Sequence, residues 1–495
     1  MKNIATIIFA AGILGLFALD RDKNEKTSKA LWIPVMWLLI VGSRPVSQWL
    51  QMGPAVDSPA AVLDGSPIDA VAFGILMAAG LIVLVARQRR VRAFLKANSA
   101  LLLFFFYCAA SVFWSDYPFV AFKRWTKAVA DVVMVIIVLT DLDRISAIKK
   151  FLARTGFLLV PLSILFIKYY PDIGRGYGQW DGVLYNNGVA TNKNLLGLIC
   201  LVIGLGTLWR FLVERAGQDG ALRRRQLLAQ GTLLAMVLWL LWIANSVTSL
   251  SCFALAGCLL LLFSVFDLAR RRVVIHFLVG TLLSIASLAL FLNAGSDVVQ
   301  MMGRDPTLTG RTKIWSLVLS LSGNPLFGTG FESFWLGTRL QKVWNIYWFH
   351  LNEAHNGYLE VFLNLGWLGI AIFAVAIMMG YRDIVRSFQS DPDMARLRLT
   401  YFVTGMAYSL TEAGFRMMSP AWIFFLLALT STRGIGLPAQ SDPQEPVSCQ
   451  QWPRPAVSVQ TKAGIAVRPN GFQQEADPAD KLILPLQLAK VQNSR

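Results

Sequence analysis

The chain contains three histidines, and one of them stands where an imidazole could do chemistry. His355 lies between Glu353 and Asn356, at the start of a long apolar run. A histidine can take a proton from an attacking hydroxyl, and a neighbouring carboxylate can orient its ring. The sequence therefore indicates His355 as a candidate base, with Glu353 and Asn356 as candidate substrate contacts. The alternative is a histidine that caps a helix or lies at a membrane interface.

Basic residues in several polar segments could bind an anionic ligand. Arg311 follows a glycine, so its backbone can approach a ligand closely, and a guanidinium matches phosphate oxygens. Lys193 stands where a helix is predicted to begin, a favourable place for a phosphate. Arg175 and Arg124 are further candidates for substrate binding. The alternatives are a surface charge for Arg311 and interfacial snorkelling for Lys193 and Arg175.

Both Arg311 and His355 belong to the long polar segment 294–357. Residues 315–321 have helical periodicity, which is typical of a helix lying on or dipping into a membrane face. Residues 323–330 are rich in turn formers. The aromatic residues of this segment would be anchors in the membrane interface or stacking surfaces for sugar rings. We interpret 294–357 as a large helical loop that forms the working surface.

The elements that carry these residues are membrane helices. Of the 495 residues, 55% are hydrophobic and 15% are charged, whereas soluble domains are about 25% charged. One bilayer crossing needs roughly 20 apolar residues, and the apolar runs are long and continuous, unlike barrel strands. The sequence predicts an all-α polytopic membrane protein with a bundle of about 12 transmembrane helices. The apolar runs are 4–19, 31–41, 68–86, 98–113, 126–140, 151–169, 195–212, 227–244, 249–266, 274–293, 358–380, 399–411 and 420–431.

The net charge of +17 is concentrated in short segments between apolar runs. Clusters such as Arg87–Arg92 and Arg223–Arg225 abut these runs, which is typical of cytoplasmic loops and argues against nucleic-acid binding. The segments predicted to face outward are 42–67, 114–125, 170–194, 245–248, 294–357 and 412–419. Loop 114–125 carries Lys123 and Arg124 against this charge rule, and such exceptions indicate functional use.

The chain divides into a membrane bundle over 1–431 and a tail over 432–495. The tail is rich in Pro, Gln, Ser and Ala, which predicts a disordered cytoplasmic segment. The five cysteines have neither metal-ligand nor disulfide-framework spacing. They are therefore expected to be small apolar packing residues. No cofactor and no metal site is predicted for the chain.

Several motifs together resemble the O-antigen ligase and polymerase superfamily, which includes exopolysaccharide-polymerising membrane proteins. His355-Asn356, nine residues, and Gly366-Trp367-Leu368-Gly369 match its outer-loop signature. The order and outward placement of the set make the resemblance specific over about residues 100–430. The further matches are Thr309-Gly310-Arg311 with Trp315, the turn Asn324–Gly330, Trp114-Ser115 with Pro118, Lys193-Asn194 with Gly197, and the Ser/Thr-rich junction Asn245–Ser251.

The resemblance implies a GT-C-like, metal-independent glycosyltransferase in the bacterial inner membrane, with its active site facing the periplasm. The donor would be a glycan on undecaprenyl diphosphate, and the acceptor a sugar hydroxyl on a lipid-linked or glycan-linked molecule. Other polysaccharide-assembly proteins would be partners. His355 would be the base, and Arg311 would bind the diphosphate leaving group. The resemblance assigns no role to Lys193, Arg175 or Arg124.

Two other classes of function stay open at this point. A transporter of a small anion such as bicarbonate should carry ionisable residues or broken helices near the middle of the membrane. The apolar runs are poor in ionisable residues, which favours the enzyme. The third class is a non-catalytic partner in a polysaccharide-assembly complex.

Overall fold

The computed structural model describes residues 1–22, 25–52, 62–63, 65–178, 182–217, 220–266, 271–291 and 309–433. The predicted tail 432–495, apart from its first two residues, lies outside the described residues. So do residues 294–308 of the predicted outer loop.

Helices make up nearly all of the regular structure in the described ranges. Two short 3₁₀ helices, Lys29–Leu31 and Ser111–Trp114, extend neighbouring α-helices. The α-helices are α1 (Lys2–Asp20), α2 (Trp32–Val41), α3 (Val46–Trp49), α4 (Pro67–Ala86), α5 (Gln88–Ala97), α6 (Ser99–Ala110), α7 (Pro118–Leu139), α8 (Arg144–Tyr169), α9 (Pro171–Gly174), α10 (Lys193–Ala216), α11 (Ala221–Ala244), α12 (Val247–Val265), α13 (Arg272–Phe291), α14 (Thr309–Ser320), α15 (Gly337–Ile346), α16 (Gly357–Ser387), α17 (Pro392–Tyr408) and α18 (Pro420–Leu429).

Every predicted apolar run coincides with one of these helices. Within the described ranges, seven are long and apolar enough to cross a membrane, and an eighth crossing results if α5 and the helix after it form one span bent by 88°. Three shorter apolar helices, Lys29–Val41, Arg272–Leu288 and Pro420–Leu429, add to the bundle. The chain is therefore a polytopic helical membrane protein, as predicted.

The predicted outer segment 170–194 contains a small β-hairpin. Strand β1 (Arg175–Tyr177) pairs antiparallel with β2 (Leu184–Asn186), with Gly176 opposite Tyr185. Helix α10 begins a few residues later, and the Asn192 side chain accepts a hydrogen bond from the Leu195 amide at 2.9 Å. This N-cap places Lys193 in the first turn of α10, where the sequence predicted it.

The contacts between helix termini fall into two sets, one at each end of the bundle. At one set, which we call the histidine end, the amide of Gly357 at the start of α16 donates to the carbonyl of Ser409 after α17 at 2.8 Å. Thr411 and Thr248 join the start of α12 to the same place, with their hydroxyl oxygens 3.3 Å apart. The segments after α17 and before α16 therefore meet at the histidine end.

The opposite set, which we call the basic end, adjoins the arginine clusters. There Trp209 of α10 donates to the carbonyl of Asp393 in α17 at 2.8 Å. Asn98 exchanges two hydrogen bonds with the backbone of Ser431, at 2.9 and 2.7 Å. These contacts join the termini of helices that are far apart in sequence.

Helix α16 is broken at Gly366, where φ is 65° and ψ is −168°. The turn Asn324–Gly330 inserts its backbone into this break. The amides of Trp367 and Leu368 donate to the carbonyls of Pro325 and Leu326 at 2.9 and 3.1 Å. A Cβ at position 366 would lie 2.4 Å from the Leu326 carbonyl, so glycine is required both for the φ angle and for the close approach.

Candidate active site

A chain of alternating charges surrounds His355 at the histidine end. Each of its two central carboxylates contacts two cations. Glu353 lies 3.0 Å from Nδ1 of His355 and 3.7 Å from Arg416, and Glu412 lies 3.1 Å from the same Nδ1 and 3.3 Å from Arg311. Arg416 continues the chain to Glu332 at 3.6 Å. We call these six residues the charge cluster.

Four segments that are distant in sequence supply the charge cluster. Arg311 comes from α14, Glu332 from the loop after the inserted turn, and Glu353 and His355 from the segment before α16. Glu412 and Arg416 come from the segment between α17 and α18. The hydrogen bond between Gly357 and Ser409 holds the last two segments together.

The peptide groups next to His355 are held on both sides. The buried carboxylate of Glu360 accepts from the Ala354 amide at 2.6 Å and from the Trp335 indole at 2.9 Å. The Trp315 indole donates to the Ala354 carbonyl at 2.9 Å. Trp315 was part of the predicted arginine motif, and its contact explains why it accompanies Arg311 in sequence.

Two members of the charge cluster have left-handed backbone conformations. The φ angles of Glu332 and His355 are 52° and 50°. Such conformations in non-glycine residues cost on the order of 1 kcal/mol each and are concentrated at functional sites, where the surrounding structure maintains them. The contacts to Ala354 supply that support for His355.

The two carboxylates keep His355 protonated. Burial lowers the pKa of His355, but the hydrogen bonds and charges of Glu353 and Glu412 outweigh it and raise the pKa to about 10. Burial raises the pKa of Glu353, yet the hydrogen bond from His355 and the charges of His355, Arg416 and Arg311 hold it below its ordinary value. In the absence of substrate, His355 is therefore an imidazolium at neutral pH.

Asn356 is engaged by the protein through both atoms of its side-chain amide. Its oxygen accepts from the amides of Tyr358 and Leu359 at 3.0 Å each, which caps α16. Its nitrogen donates to the Leu410 carbonyl at 3.3 Å. The geometry favours a positioning role for Asn356 over direct substrate binding.

Arg124 joins the charge cluster through the backbone. Its guanidinium donates to the carbonyl of Glu332, one residue of the loop that follows the inserted turn. The Trp-Ser motif holds both the inserted turn and this loop. The Trp114 indole donates to the Phe327 carbonyl of the turn at 3.2 Å, and the hydroxyls of Ser115 and Ser333 lie 2.7 Å apart. Arg124 thus lies beside the site, although it belongs to the first turns of α7 and not to a loop over 114–125 as predicted.

The remaining two candidates, Arg175 and Lys193, have contacts in and around the β-hairpin segment. Arg175 donates to the Ile167 carbonyl at 3.0 Å, and the ammonium of Lys193 lies 5.8 Å from the centroid of the Tyr185 ring. The start of α10 does approach the cluster indirectly. A Cβ on Gly197 would lie 2.7 Å from Ser246, which precedes α12. Two residues later, the Thr248 hydroxyl contacts that of Thr411, the neighbour of Glu412.

Sequence reasoning missed Glu412 and Arg416. Both lie in the short segment 412–419, which was predicted to face outward. An arginine in an outward loop breaks the positive-inside pattern, as Arg124 does, and this signal could have identified Arg416. Nothing local marks Glu412, because its contact with His355 spans 57 residues of sequence.

One group in the described part of the chain could hold a metal ion. The candidate ligand atoms of Glu353, His355 and Glu412 all lie within 4.8 Å of one another. The two carboxylates are already balanced by the imidazolium and by Arg311 and Arg416 at 3.3 and 3.7 Å. A divalent cation would have to displace the proton of His355 and lie close to both guanidinium groups, which disfavours it.

Two comparisons with known proteins agree with the predicted resemblance. Residues 231–374 match the O-antigen ligase family. This range contains Arg311, Glu353 and His355 but ends before Glu412 and Arg416. The chain is also 23% identical over 305 residues to the exopolysaccharide production protein ExoQ of Rhizobium meliloti (strain 1021). That match covers 58% of this chain and 65% of the relative, so the chain spans less than two thirds of the relative's length.

Proposed function

We propose that this chain, which is similar to the O-antigen ligase family over residues 231–374, is a membrane glycosyltransferase of cell-surface polysaccharide biosynthesis. The donor is a glycan on undecaprenyl diphosphate, and the acceptor is a sugar hydroxyl on a lipid-linked or glycan-linked molecule. The Lys193-Asn194 motif and the likeness to an exopolysaccharide production protein favour the polymerase branch over the ligase branch. The observation that carries the proposal is the convergence of Arg311 and His355 on the shared carboxylate of Glu412.

In the proposed reaction, the bond between the anomeric carbon and the diphosphate oxygen breaks, and its electron pair leaves with the diphosphate. The acceptor oxygen forms the new bond to that carbon. Arg311, whose side chain is 29% exposed, binds the diphosphate and stabilises the charge that develops on it. Arg416 is a second cation within reach of the same carboxylates. In the resting site, carboxylates contact both guanidinium groups. An incoming diphosphate replaces these carboxylates as the partner of the guanidinium groups.

The acceptor proton passes to His355. Both carboxylates contact Nδ1, so Nε2 is the ring nitrogen that takes the proton. Only the neutral imidazole can do this, and the resting pKa of about 10 makes the neutral form scarce at pH 7. The rate below about pH 10 is therefore proportional to the small fraction of the protein in which His355 has lost that proton. Glu353 and Glu412 orient the ring and stabilise the imidazolium that forms again.

The remaining site residues have supporting roles in the proposal. Arg124 and Asn356 position the Glu332 loop and α16, and Glu353 orients His355. In the proposal, the 170–194 segment faces the charge cluster across the outer opening, and its Lys193 and Arg175 bind the donor or acceptor. No metal or cofactor takes part.

The proposal places the protein in the bacterial inner membrane with the histidine end facing the periplasm. The seven long helices, the bent pair, the three shorter apolar helices and α7 together make about 12 crossings. Cysteine labelling of intact cells tests this orientation. A membrane-impermeant reagent should modify a cysteine introduced at Trp348, which is 68% exposed, and should not modify one at Arg224.

The enzymatic proposal is tested by replacing His355 and Arg311 singly with Ala. Each protein is reconstituted with a radiolabelled undecaprenyl-diphosphate oligosaccharide, and the longer or transferred glycan is measured. We expect the rate to fall by roughly 10²–10⁴-fold for His355→Ala, the range for general base catalysis. In cells, undecaprenyl-linked repeat units should accumulate while surface polymer declines.

A matched control comes from the same segment. His350 also has a positive φ, of 55°, but its ring stacks on Trp344 at 4.2 Å. His350→Ala should retain transfer, and all variants must reach normal abundance. Undiminished product from both His355→Ala and Arg311→Ala would overturn the enzymatic proposal. Uptake of labelled bicarbonate into vesicles, unaffected by either change, would favour a transporter instead. Absence of both glycan transfer and bicarbonate uptake from the unaltered protein would favour a non-catalytic assembly partner.

A further inference from the structure

Asp131 is a buried carboxylate within α7 that the proposed reaction does not use. One of its oxygens, Oδ1, accepts from the Trp37 indole of α2 at 2.9 Å. The other, Oδ2, accepts from the backbone amide of Met418 at 2.9 Å. Both partners are neutral N–H groups, and an ionisable side chain within a membrane helix is costly to keep. Such a residue indicates a function, and its two partners show where to look for it.

The Met418 amide lies near the end of the segment 412–419, which supplies two members of the charge cluster. The start of this segment is held beside His355, because the Gly357 amide donates to the Ser409 carbonyl at 2.8 Å. The bond to the carboxylate of α7 holds the other end. The φ angle of Met418 is 57°, a left-handed conformation that the surrounding structure has to maintain. The cluster residues of this segment thus lie between two fixed points.

Helix α18, which follows this segment, is shorter than a membrane crossing. Its ten residues make about 15 Å of helix, half of a bilayer core of about 30 Å. Two residues beyond it, Ser431 binds Asn98 at the basic end. The segment before α18 therefore extends into the bundle from the histidine end. A backbone amide at such a depth needs a protein acceptor, and Asp131 supplies it for Met418.

The face of α7 that carries Asp131 forms a wall behind the charge cluster. Arg124, Ala128 and Asp131 are spaced by four and three residues, which places them on one face of the helix. Arg124 donates to the Glu332 carbonyl. Ala128 borders a cavity of about 30 Å³ whose walls include Glu332 and Arg416. Because these two residues pair at 3.6 Å, one helix face holds both segments that supply the pair.

We propose that Asp131 is a positioning residue of the charge cluster, an inference that rests on the proposed function. By accepting from the Met418 amide, it keeps Arg416 and Glu412 in place beside His355. Arg416 is the second cation within reach of the leaving diphosphate. A displacement of about 1 Å can cost on the order of 10²-fold in rate, so the anchor of this segment should influence transfer without touching substrate.

Two double variants isolate the hydrogen bond to Met418. Both contain Trp37→Phe, which removes the indole donor that also binds Asp131. When Asp131→Asn is added, the carboxamide oxygen remains as an acceptor for the Met418 amide. When Asp131→Leu is added instead, no acceptor remains. Asn and Leu are both uncharged and similar in size, so the two proteins differ chiefly in this bond.

Glycan transfer is measured with the radiolabelled undecaprenyl-diphosphate oligosaccharide, per folded protein. The double variant with Asp131→Leu should have a kcat about tenfold lower than the one with Asp131→Asn, because Arg416 is no longer held. Since Arg416 acts on charge that develops during transfer, kcat should change more than KM. Equal kcat values for the two double variants would overturn the proposal.

Stability should not follow the same order. Each double variant leaves one buried N–H group unpaired, the Met418 amide in one and the new carboxamide nitrogen in the other, so their unfolding temperatures should be similar. Asp383→Asn, which weakens a buried pair with Arg398 at the basic end, is the control. It should lower the unfolding temperature and leave the kcat of the folded protein unchanged. A kcat that follows the unfolding temperature across these variants would overturn the positioning role.

Hydrogen exchange tests the anchor without any substrate. It is measured by mass spectrometry on the full chain in nanodiscs. Peptides that span 412–419 should exchange about tenfold faster in the double variant with Asp131→Leu than in the one with Asp131→Asn, because local opening is no longer opposed by this bond. Peptides of α6 should exchange equally in both. Equal exchange over 412–419 would overturn the proposal.

The outcomes separate this inference from the proposed function. Faster exchange over 412–419, together with absence of glycan transfer by the unaltered protein, would support Asp131 as the anchor of the charge cluster and overturn the enzyme. Glycan transfer at the same kcat in both double variants would support the enzyme and overturn the role of Asp131.

Discussion

The two ends of the bundle hold similar charged groups in different ways. At the basic end, Arg398 pairs with Asp383 at 3.0 Å and also donates to the carbonyls of Ala428 and Thr430, at 2.9 Å each. Arg210 forms two hydrogen bonds with Asp20, at 2.8 and 3.2 Å. At the histidine end, the contacts of Glu353 and Glu412 range from 3.0 to 3.7 Å, and each carboxylate is shared by two cations.

The difference extends to the backbone and to exposure. The side chains of Arg210 and Arg398 are 2% and 4% exposed, whereas those of Arg311 and His355 are 29% and 26% exposed. His355 has a left-handed φ, and neither basic-end arginine has one. Directional, buried hydrogen bonds to carbonyl groups make the basic-end pairs a means of joining helix ends. Under the proposed function, the longer contacts and greater exposure of the charge cluster would let its groups exchange partners with an anionic substrate.

The largest expected effect concerns stability at the basic end. Arg398→Met leaves Asp383 and two carbonyl groups without this buried donor, so the free energy of unfolding should fall by about 3–5 kcal/mol. Arg311→Met, at the half-exposed histidine end, should change it by about 1 kcal/mol or less. Thermal unfolding in detergent measures both. Equal losses from the two variants would remove the distinction between the ends.

The pH dependence of transfer should reveal the protonated histidine. Because the neutral imidazole is the base, the rate should rise about tenfold per pH unit from neutral pH towards about 10. The stabilising effect of the raised pKa has the opposite trend. It is fully present below 6.5, the ordinary pKa of histidine, and is lost as the pH rises through about 10. A rate that falls over this range would instead assign the imidazolium a role in stabilising the leaving diphosphate.

A smaller change should follow from removing one of the two carboxylates. Glu412→Gln keeps the shape of the side chain but removes a charge 3.1 Å from Nδ1. The pKa of His355 should fall by roughly 1–3 units, and the rising limb of the pH–rate profile should move to lower pH by the same amount. Glu25→Gln near the basic end, where Glu25 pairs with Lys150, is the control and should leave the profile in place.

The smallest expected effect is that of chelation. If the imidazolium and two arginines balance Glu353 and Glu412, EDTA should leave the transfer rate unchanged within error. The assay uses protein purified with and without chelator, followed by addition of Mg²⁺, Mn²⁺ or Zn²⁺. Loss of activity with EDTA, and its recovery with one of these ions, would show that the three candidate ligands bind metal.

Much of the fold was predictable because its signals are local. A run of about 20 apolar residues specifies a membrane helix regardless of what packs against it. The predicted runs therefore all coincide with helices. The turn Asn324–Gly330 and the N-cap at Asn192 were equally local, since turn and cap chemistry depends on adjacent residues.

The candidate site was predictable only in part. The rarity of histidine and the setting of Arg311 indicated two members of the charge cluster from residue type alone. Glu412 and Arg416 were not predictable in this way, because an isolated charge between two apolar runs does not reveal its partner. Arg124 was indicated by its unexpected charge, but its contact with the Glu332 carbonyl required the folded bundle.

The sequence by itself determined that this is a helical membrane protein with its reactive residue types in polar segments between the apolar runs. Apolar length, charge placement and residue identity are local properties that any packing must respect. Tertiary structure alone decided which carboxylates share the proton of His355 and how the break at Gly366 admits the turn. Those features depend on contacts between residues far apart in sequence, and only the packed helices bring these within hydrogen-bonding distance.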